Sequence, residues 1–386
     1  MTTRSPVQPD FSRQLQNPML LQAAMAMNEN RLHDAEPLLR QHLKADPFDV
    51  AAIRMLAELA GRIGRMKDAE ALLRRAIELA PNFVPARSNL AIVLYRQNRA
   101  AEAIAELETL AAISPNDVAH DSLKAAAKGR LGDYEEAIEL YGSVLDRFPG
   151  QPKIWMSYGH LLKTVGQQAH SVTAYRRALE IAPALGEVWW SLANLKTYRF
   201  DPDQIASMRE REAAPQTQLA DRYHLCFALG KALEDSGQYE DAFTYYERGN
   251  RLKREEVGYD WRRITAEIDR QIAHCSPALF ADKAGAGHRA ADPIFILGLP
   301  RAGSTLLEQI LASHSQVEGT MELPNILALA HKLGGRRRID EEPEYPANLA
   351  ELSHEELTEF GEGYIRDTMI HRKLGTPYFI DKMPNN

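Results

Sequence analysis

The chain has 386 residues, 45% of them hydrophobic and 26% charged, and a formal net charge of −7. That length allows two or more domains with cores of their own, in the composition range of soluble globular proteins. The negative balance offers no general attraction to nucleic acid, and no window approaches the roughly 18 apolar residues in a row that a spanning helix needs, so neither a nucleic-acid partner nor a membrane is expected.

Cys226 and Cys275 are the two cysteines, too few for a disulfide framework and suited to a reducing compartment. The opening stretch, Met1 to Asp10, lacks the apolar segment of a secretory signal. Residues 1 to 15 read as a flexible terminus, and a cytoplasmic protein is expected.

Pro47, Pro81, Pro115, Pro149 and Pro183 stand 34 residues apart, and each closes an amphipathic run such as Ala76-Ile-Glu-Leu-Ala-Pro81. Proline just past a helix end stops the helix and turns the chain. Ala35, Ala69, Ala103 and Ala137 lie twelve residues before successive prolines, where two helices of a hairpin must approach closely. Gly64, Gly132 and Gly166 fall at the turns between helices, while Trp155 and Trp189 share a phase, as do Gly159 and Ala193.

This pattern resembles the tetratricopeptide repeat in its period and in its W-L-G-Y-A-F-A-P positions. Five repeats are expected between about 16 and 183, a sixth that loses register near Arg199–Asp203, and a further one from about 223, with Gly230, Gly237, Ala242 and Tyr246 in phase. Such hairpins bury their apolar faces only by stacking, so residues 16–255 are expected to form an α-solenoid with a concave groove for a peptide or protein partner. The repeated Ala, Gly, Trp and Pro are packing residues.

A helix over Val257–Cys275, with Trp261, Ile264, Ile268 and Ile272 on one face, is expected to cap the array. The small, polar stretch Ala281–Asp292 reads as a linker, so that 256–290 connects the array to a different domain over 291–386.

That domain opens on Ile294 to Leu297, a short apolar run with the look of a fully buried strand. The loop Gly298-Leu-Pro-Arg-Ala-Gly303 follows. Ser304 then begins an amphipathic run whose Leu306, Leu307, Ile310 and Leu311 are expected to form one buried face. Strand, glycine-bounded loop and helix in this order cradle an anion on backbone N–H groups. The glycine spacing is that of the nucleotide-binding G-x4-G-K-[ST] loop, but Ser304 occupies the lysine position and Arg301 lies inside the loop. The missing lysine argues against ordinary ATP or GTP hydrolysis.

Phe295 to Leu307 resembles the 5′-phosphosulfate loop of sulfotransferases. It is most similar to the G-x-P-R-[SA]-G-[ST]-[TS]-L form of protein-tyrosine sulfotransferases and of bacterial tetratricopeptide–sulfotransferase fusions. The resemblance implies 3′-phosphoadenosine 5′-phosphosulfate (PAPS) as sulfuryl donor, held by Arg301, Ala302, Gly303, Ser304 and Thr305. Ala302 stands where many relatives have serine, so one hydroxyl contact is absent and a backbone N–H would serve there.

The same resemblance places a general base at Glu322, 21 residues after Arg301. In-line transfer of a sulfuryl group to a hydroxyl needs a carboxylate to accept the proton. Glu318 is a nearby competitor. His314, at the end of the loop helix, is read as structural. Arg336-Arg-Arg338 forms either a solvated face or an attraction for an acidic acceptor peptide. Ser353-x-x-Glu356 is a capping box opening a helix to about Lys373.

Pro377 to Ile380 reads as a second strand, from whose C-terminal end Asp381-Lys-Met-Pro384 emerges. Ligands of parallel α/β sheets bind beyond that end. Lys382 resembles the lysine of the family's D-K-x-P segment, which steadies the departing phosphate. No metal is implied.

The expected architecture is α plus α/β: a tetratricopeptide solenoid, then the first part of a P-loop-like sulfotransferase domain. The segment that binds the donor's 3′-phosphate is expected beyond Asn386, which reads as a truncated domain. The expected activity is PAPS-dependent transfer to a hydroxyl, with a peptide tyrosine as the candidate acceptor. The alternatives are a peptide-binding scaffold with an inactive appendage and a P-loop phosphotransferase.

Overall fold

The computed structural model describes residues 17–334 and 344–384. The stretch 1–15, the three arginines 336–338 and Asn386 lie outside the described residues. Two compact units divide the chain, Met1–Glu256 and Val257–Asn386.

In the first unit ten helices follow as pairs: α1 (Pro18–Asn28) with α2 (Leu32–Ala45), α3 (Val50–Arg62) with α4 (Met66–Leu79), α5 (Val84–Arg96) with α6 (Ala100–Ile113), α7 (Val118–Arg130) with α8 (Tyr134–Arg147), and α9 (Pro152–Thr164) with α10 (Gln168–Ile181). Every second helix ends two residues before a periodic proline, with its C-cap between them: Asp46, Ala80, Ser114, Phe148 and Ala182. All five share ψ between 67° and 86°, outside the helical region, because a following proline ring clashes with a helical residue before it.

The alanines twelve residues earlier are completely buried. At the same phase in the fifth pair Ser171 replaces alanine, and its buried hydroxyl donates to Gly159 O at 2.9 Å. The in-phase tryptophans tie each first helix to the preceding proline, Trp155 Nε1 donating to Pro149 O at 2.8 Å and Trp189 Nε1 to Pro183 O at 2.9 Å.

Gly64, Gly132 and Gly166 turn the chain at φ near 80°. Asn30 and Asn98 occupy the same phase at φ 58° and 62°, a role their identity hid in the sequence. Asparagine tolerates the left-handed region better than other side chains.

The register breaks after α11 (Gly186–Ala193). The next helix, α12 (Pro202–Ala213), restarts with an Asp201–Gln204 capping box. Both rest on α13 (Leu219–Asp235), and α14 (Tyr239–Val257) completes the unit.

The second unit holds a small parallel sheet. Its strands β1 (Pro293–Ile296), β2 (Val317–Gly319) and β3 (Tyr378–Lys382) run in the order β1-β3-β2. Two short helices precede it, α15 (Trp261–His274) and α16 (Pro277–Asp282). The helix read from sequence as a cap on the array is α15. It falls in this unit, where Arg270 donates to Tyr345 O at 2.8 Å. Three more helices follow: α17 (Ser304–Ala312), which packs on β2 and β3, α18 (Asn325–Leu333), which packs on α19, and α19 (His354–Thr368), opened by the Ser353–Glu356 capping box.

Two expectations for this unit are overturned. β1 is an edge strand rather than a fully buried one: only Ile296 is buried, while Phe295 turns half-exposed toward the Tyr364 ring, centroids 5.6 Å apart. The leucine face of α17 is also turned outward, with Leu306 67%, Leu307 47% and Ile310 58% exposed. The helix meets β2 and β3 through Glu308 and Ala312 instead, whose small side chain lets Gly319 approach.

Candidate functional site

β3 runs two residues further than the sequence implied, so Lys382 is still in the sheet, opposite Ile296 of β1. The loop after β1 is tied to the segment after β3, since Gly298 N donates to Pro384 O at 3.2 Å. The loop and Lys382 therefore share the C-terminal edge of adjacent parallel strands, where ligands of such sheets bind.

Within the loop, Ala302 N donates back to Leu299 O at 3.1 Å, closing a turn over Pro300 and Arg301. Arg301 adopts φ 68°, the left-handed value that a type II turn demands of its third residue and that glycine usually supplies. An arginine there costs about 1–2 kcal/mol of backbone strain. Its side chain is exposed and makes no hydrogen bond or ion pair among the described residues.

The Ala302 N–H, which the sequence offered in place of a hydroxyl contact, is committed to this turn. Further donors lie at the α17 N-terminus. Gly303 is its N-cap at φ 92°, with no side chain capping the helix, so the first-turn N–H groups, Ser304 and Thr305 among them, stay open to a ligand. A Cβ at Gly298 or Gly303 would meet nothing within 4 Å, so space lies before the cradle. The loop fits a compact anion.

Glu322, in the loop after β2, accepts from Lys382 Nζ at 2.7 Å. The structure thus brings together the two residues that the sequence separated by 60 positions. Glu318 is excluded from such a role by its surroundings. It is buried, accepts from Leu374 N at 2.8 Å and lies 3.7 Å from Arg372 Nε. His314 sits at the end of α17 and accepts from Gln316 N at 3.2 Å.

One charged neighbour escaped the sequence reading. Glu308 on α17 is buried, 3.8 Å from Lys382 Nζ, and burial holds its carboxyl above the usual carboxylate range, with Glu322 adding to the shift and Lys382 opposing it. It follows Ser304 by one turn, on the face that also carries Ala312, and that small-residue face was the available signal.

Beyond this edge, Tyr364 Oη donates to Asp381 Oδ2 at 2.8 Å, and burial with the adjacent carboxylate pushes the phenol well above its ordinary value. In the first unit, a groove of about 870 Å³ lined by Leu20, Met27, Arg54, Met55, Phe83 and Pro85 runs past the first helices of successive pairs. His42, Asp46 and Asp49 gather ligand-type atoms within 4.8 Å. Asp49 is committed there, capping α3 through Ala51 N and Ala52 N and pairing with His42 at 2.8 Å.

Among the described residues no helix is long and apolar enough to cross a membrane. The sulfotransferase family model matches residues 293–386. Tetratricopeptide-repeat models match 20–83, 63–127, 123–185 and 223–256. A protein of Aquifex aeolicus described as uncharacterized is 29% identical over 255 residues, 65% of this chain and 33% of its own length. The chain thus spans about a third of the length of that relative.

Among solved structures, a tetratricopeptide repeat protein from Parabacteroides merdae gives a TM-score of 0.45 at 15% identity, over 64% of this chain and 95% of that one. MamA from Desulfovibrio magneticus RS-1 gives 0.40 at 16%, over 43% and 94%. The chain carries an N-terminal array of tetratricopeptide repeats followed by a segment of the sulfotransferase family.

Proposed function

We propose that the second unit carries a sulfuryl-transfer site that uses PAPS as donor and a hydroxyl, that of a peptide tyrosine, as acceptor. The repeat groove would supply the peptide or protein contact. The observation that carries this reading is the Glu322–Lys382 pair at 2.7 Å, on the sheet edge shared with an arginine-bearing anion loop.

The donor supplies an activated sulfuryl group on a phosphate leaving group. Arg301 and the open amides of Ser304 and Thr305 hold that anion, as donors aimed at localised negative charge. Glu322 accepts the proton of the attacking hydroxyl. Lys382 faces the charge that builds on the leaving oxygen, where a fixed cation is worth most. Both cysteines are free, in keeping with a cytoplasmic setting.

Titration calorimetry tests the donor site. 3′-Phosphoadenosine 5′-phosphate is expected to bind the chain and to lose binding in Arg301→Ala; binding of ATP–Mg in its place would overturn the reading. With PAPS and a tyrosine peptide, Glu322→Gln is expected to lower kcat by about 10²–10⁴ while leaving donor binding intact. The groove in the repeats favours a second reading, a partner-binding scaffold with an inactive sulfotransferase segment. Absence of any nucleotide binding would decide for it.

A further inference from the structure

The transfer scheme leaves Glu308 unused. Its side chain is 10% exposed and 3.8 Å from Lys382 Nζ, whereas that of Glu322, 2.7 Å from the same nitrogen, is 56% exposed. One lysine therefore stands between two carboxylates in unlike surroundings. An ion pair with a solvated carboxylate is screened and readily exchanged. A pair with a buried carboxylate is not, because separating it would leave a charge without a partner in a poorly solvated site. The charged groups facing Glu308 are Lys382 and Glu322.

We propose that Glu308 is a positioning residue that anchors Lys382 at the sheet edge, so that Lys382 can release Glu322 to an incoming anion without leaving its place. This rests on the roles given to Lys382 and Glu322 above. It orders the events at the site. While the edge is empty, the Lys382 ammonium pairs with Glu322 and occupies its carboxylate. An anion that competes for the ammonium frees the Glu322 carboxylate, and Glu308 keeps the lysine within reach. The base is thus uncovered only when the donor is in place.

Trace acetylation of Lys382 by acetic anhydride, followed at one fixed pH by mass spectrometry of the full chain, reports how closely its nitrogen is held by its ion pairs. Glu308→Gln is expected to raise the labelling rate at fixed pH about tenfold, because the nitrogen is no longer held against a buried carboxylate. Glu322→Gln is expected to raise it only about twofold, since its partner is solvated. Glu308→Asp, which keeps the charge, is expected to restore most of the protection.

Equal labelling of wild type and Glu308→Gln would overturn the anchor, and so would Glu308→Asp labelling like Glu308→Gln. A matching rise at Lys283, which donates to Ala350 O, would mean general loosening and also count against it. Addition of 3′-phosphoadenosine 5′-phosphate to wild type separates the two proposals. If the nucleotide leaves Lys382 labelling unchanged, the transferase reading falls, while the Glu308 dependence measured without nucleotide stands.

Discussion

Arg301 holds a backbone conformation that costs an arginine about 1–2 kcal/mol and a glycine almost nothing. Among the described residues nothing requires the larger residue, since its side chain is exposed and finds no partner there. Strain kept at an exposed cation is what a ligand site stores and a structural turn discards. Arg301→Gly is therefore expected to raise the stability of the second unit by about 1 kcal/mol while abolishing binding of 3′-phosphoadenosine 5′-phosphate. Urea unfolding and calorimetry on the same preparation check it. A variant less stable than wild type would mean that Arg301 supports the fold.

Between helices, packing is decided by a few close approaches. A Cβ on Gly159 of α9 would stand 2.6 Å from Tyr175 Cε1 of α10, and one on Gly230 of α13 2.6 Å from Tyr246 Cε1 of α14, the same sixteen-residue spacing. Alanine in mid-helix would gain about 1 kcal/mol of intrinsic propensity. Overpacking a filled core costs about 1–3 kcal/mol, so the clash is expected to win. Gly159→Ala should shift the urea midpoint down, and Tyr175→Leu in the same chain should recover part of the loss.

The first pair was legible as a repeat because the prolines keep strict count, and the second through the phases of Gly230, Gly237, Ala242 and Tyr246. The turns at Asn30 and Asn98 were not, since asparagine and glycine share a backbone preference without sharing a letter. α17 misled for a different reason. Its leucines mark a helix face correctly, but periodicity says nothing about which face meets the sheet. There the sheet takes Ala312 and Glu308, because Lys382 offers Glu308 a partner. The lysine, the base candidate and the loop could each be named from sequence. That Glu308 stands behind them depends on a strand end 74 residues away in the chain, which no local pattern encodes.

For the whole molecule, acid is the revealing perturbation. His160 and His224 in the first unit and His371 in the second all have imidazoles held below their ordinary value by burial. In the unfolded chain they take up a proton near pH 6.5, while the folded chain resists it. Acidification therefore favours unfolding, and stability falls as pH drops through and below that value, by at most about 1.4 kcal/mol per pH unit for each histidine. The thermal midpoint is expected to decline from pH 7 toward 5, and His160→Asn to flatten the decline. An unchanged slope in that variant would show that His160 contributes nothing to it.

The bond from Gly298 N to Pro384 O joins the start of the anion loop to the chain beyond β3. Main chain, not side chain, thus holds the start of the loop against the strand end. Substitutions at Arg301, Ser304 or Lys382 are therefore expected to alter the charge of the proposed site while its backbone frame stays in place.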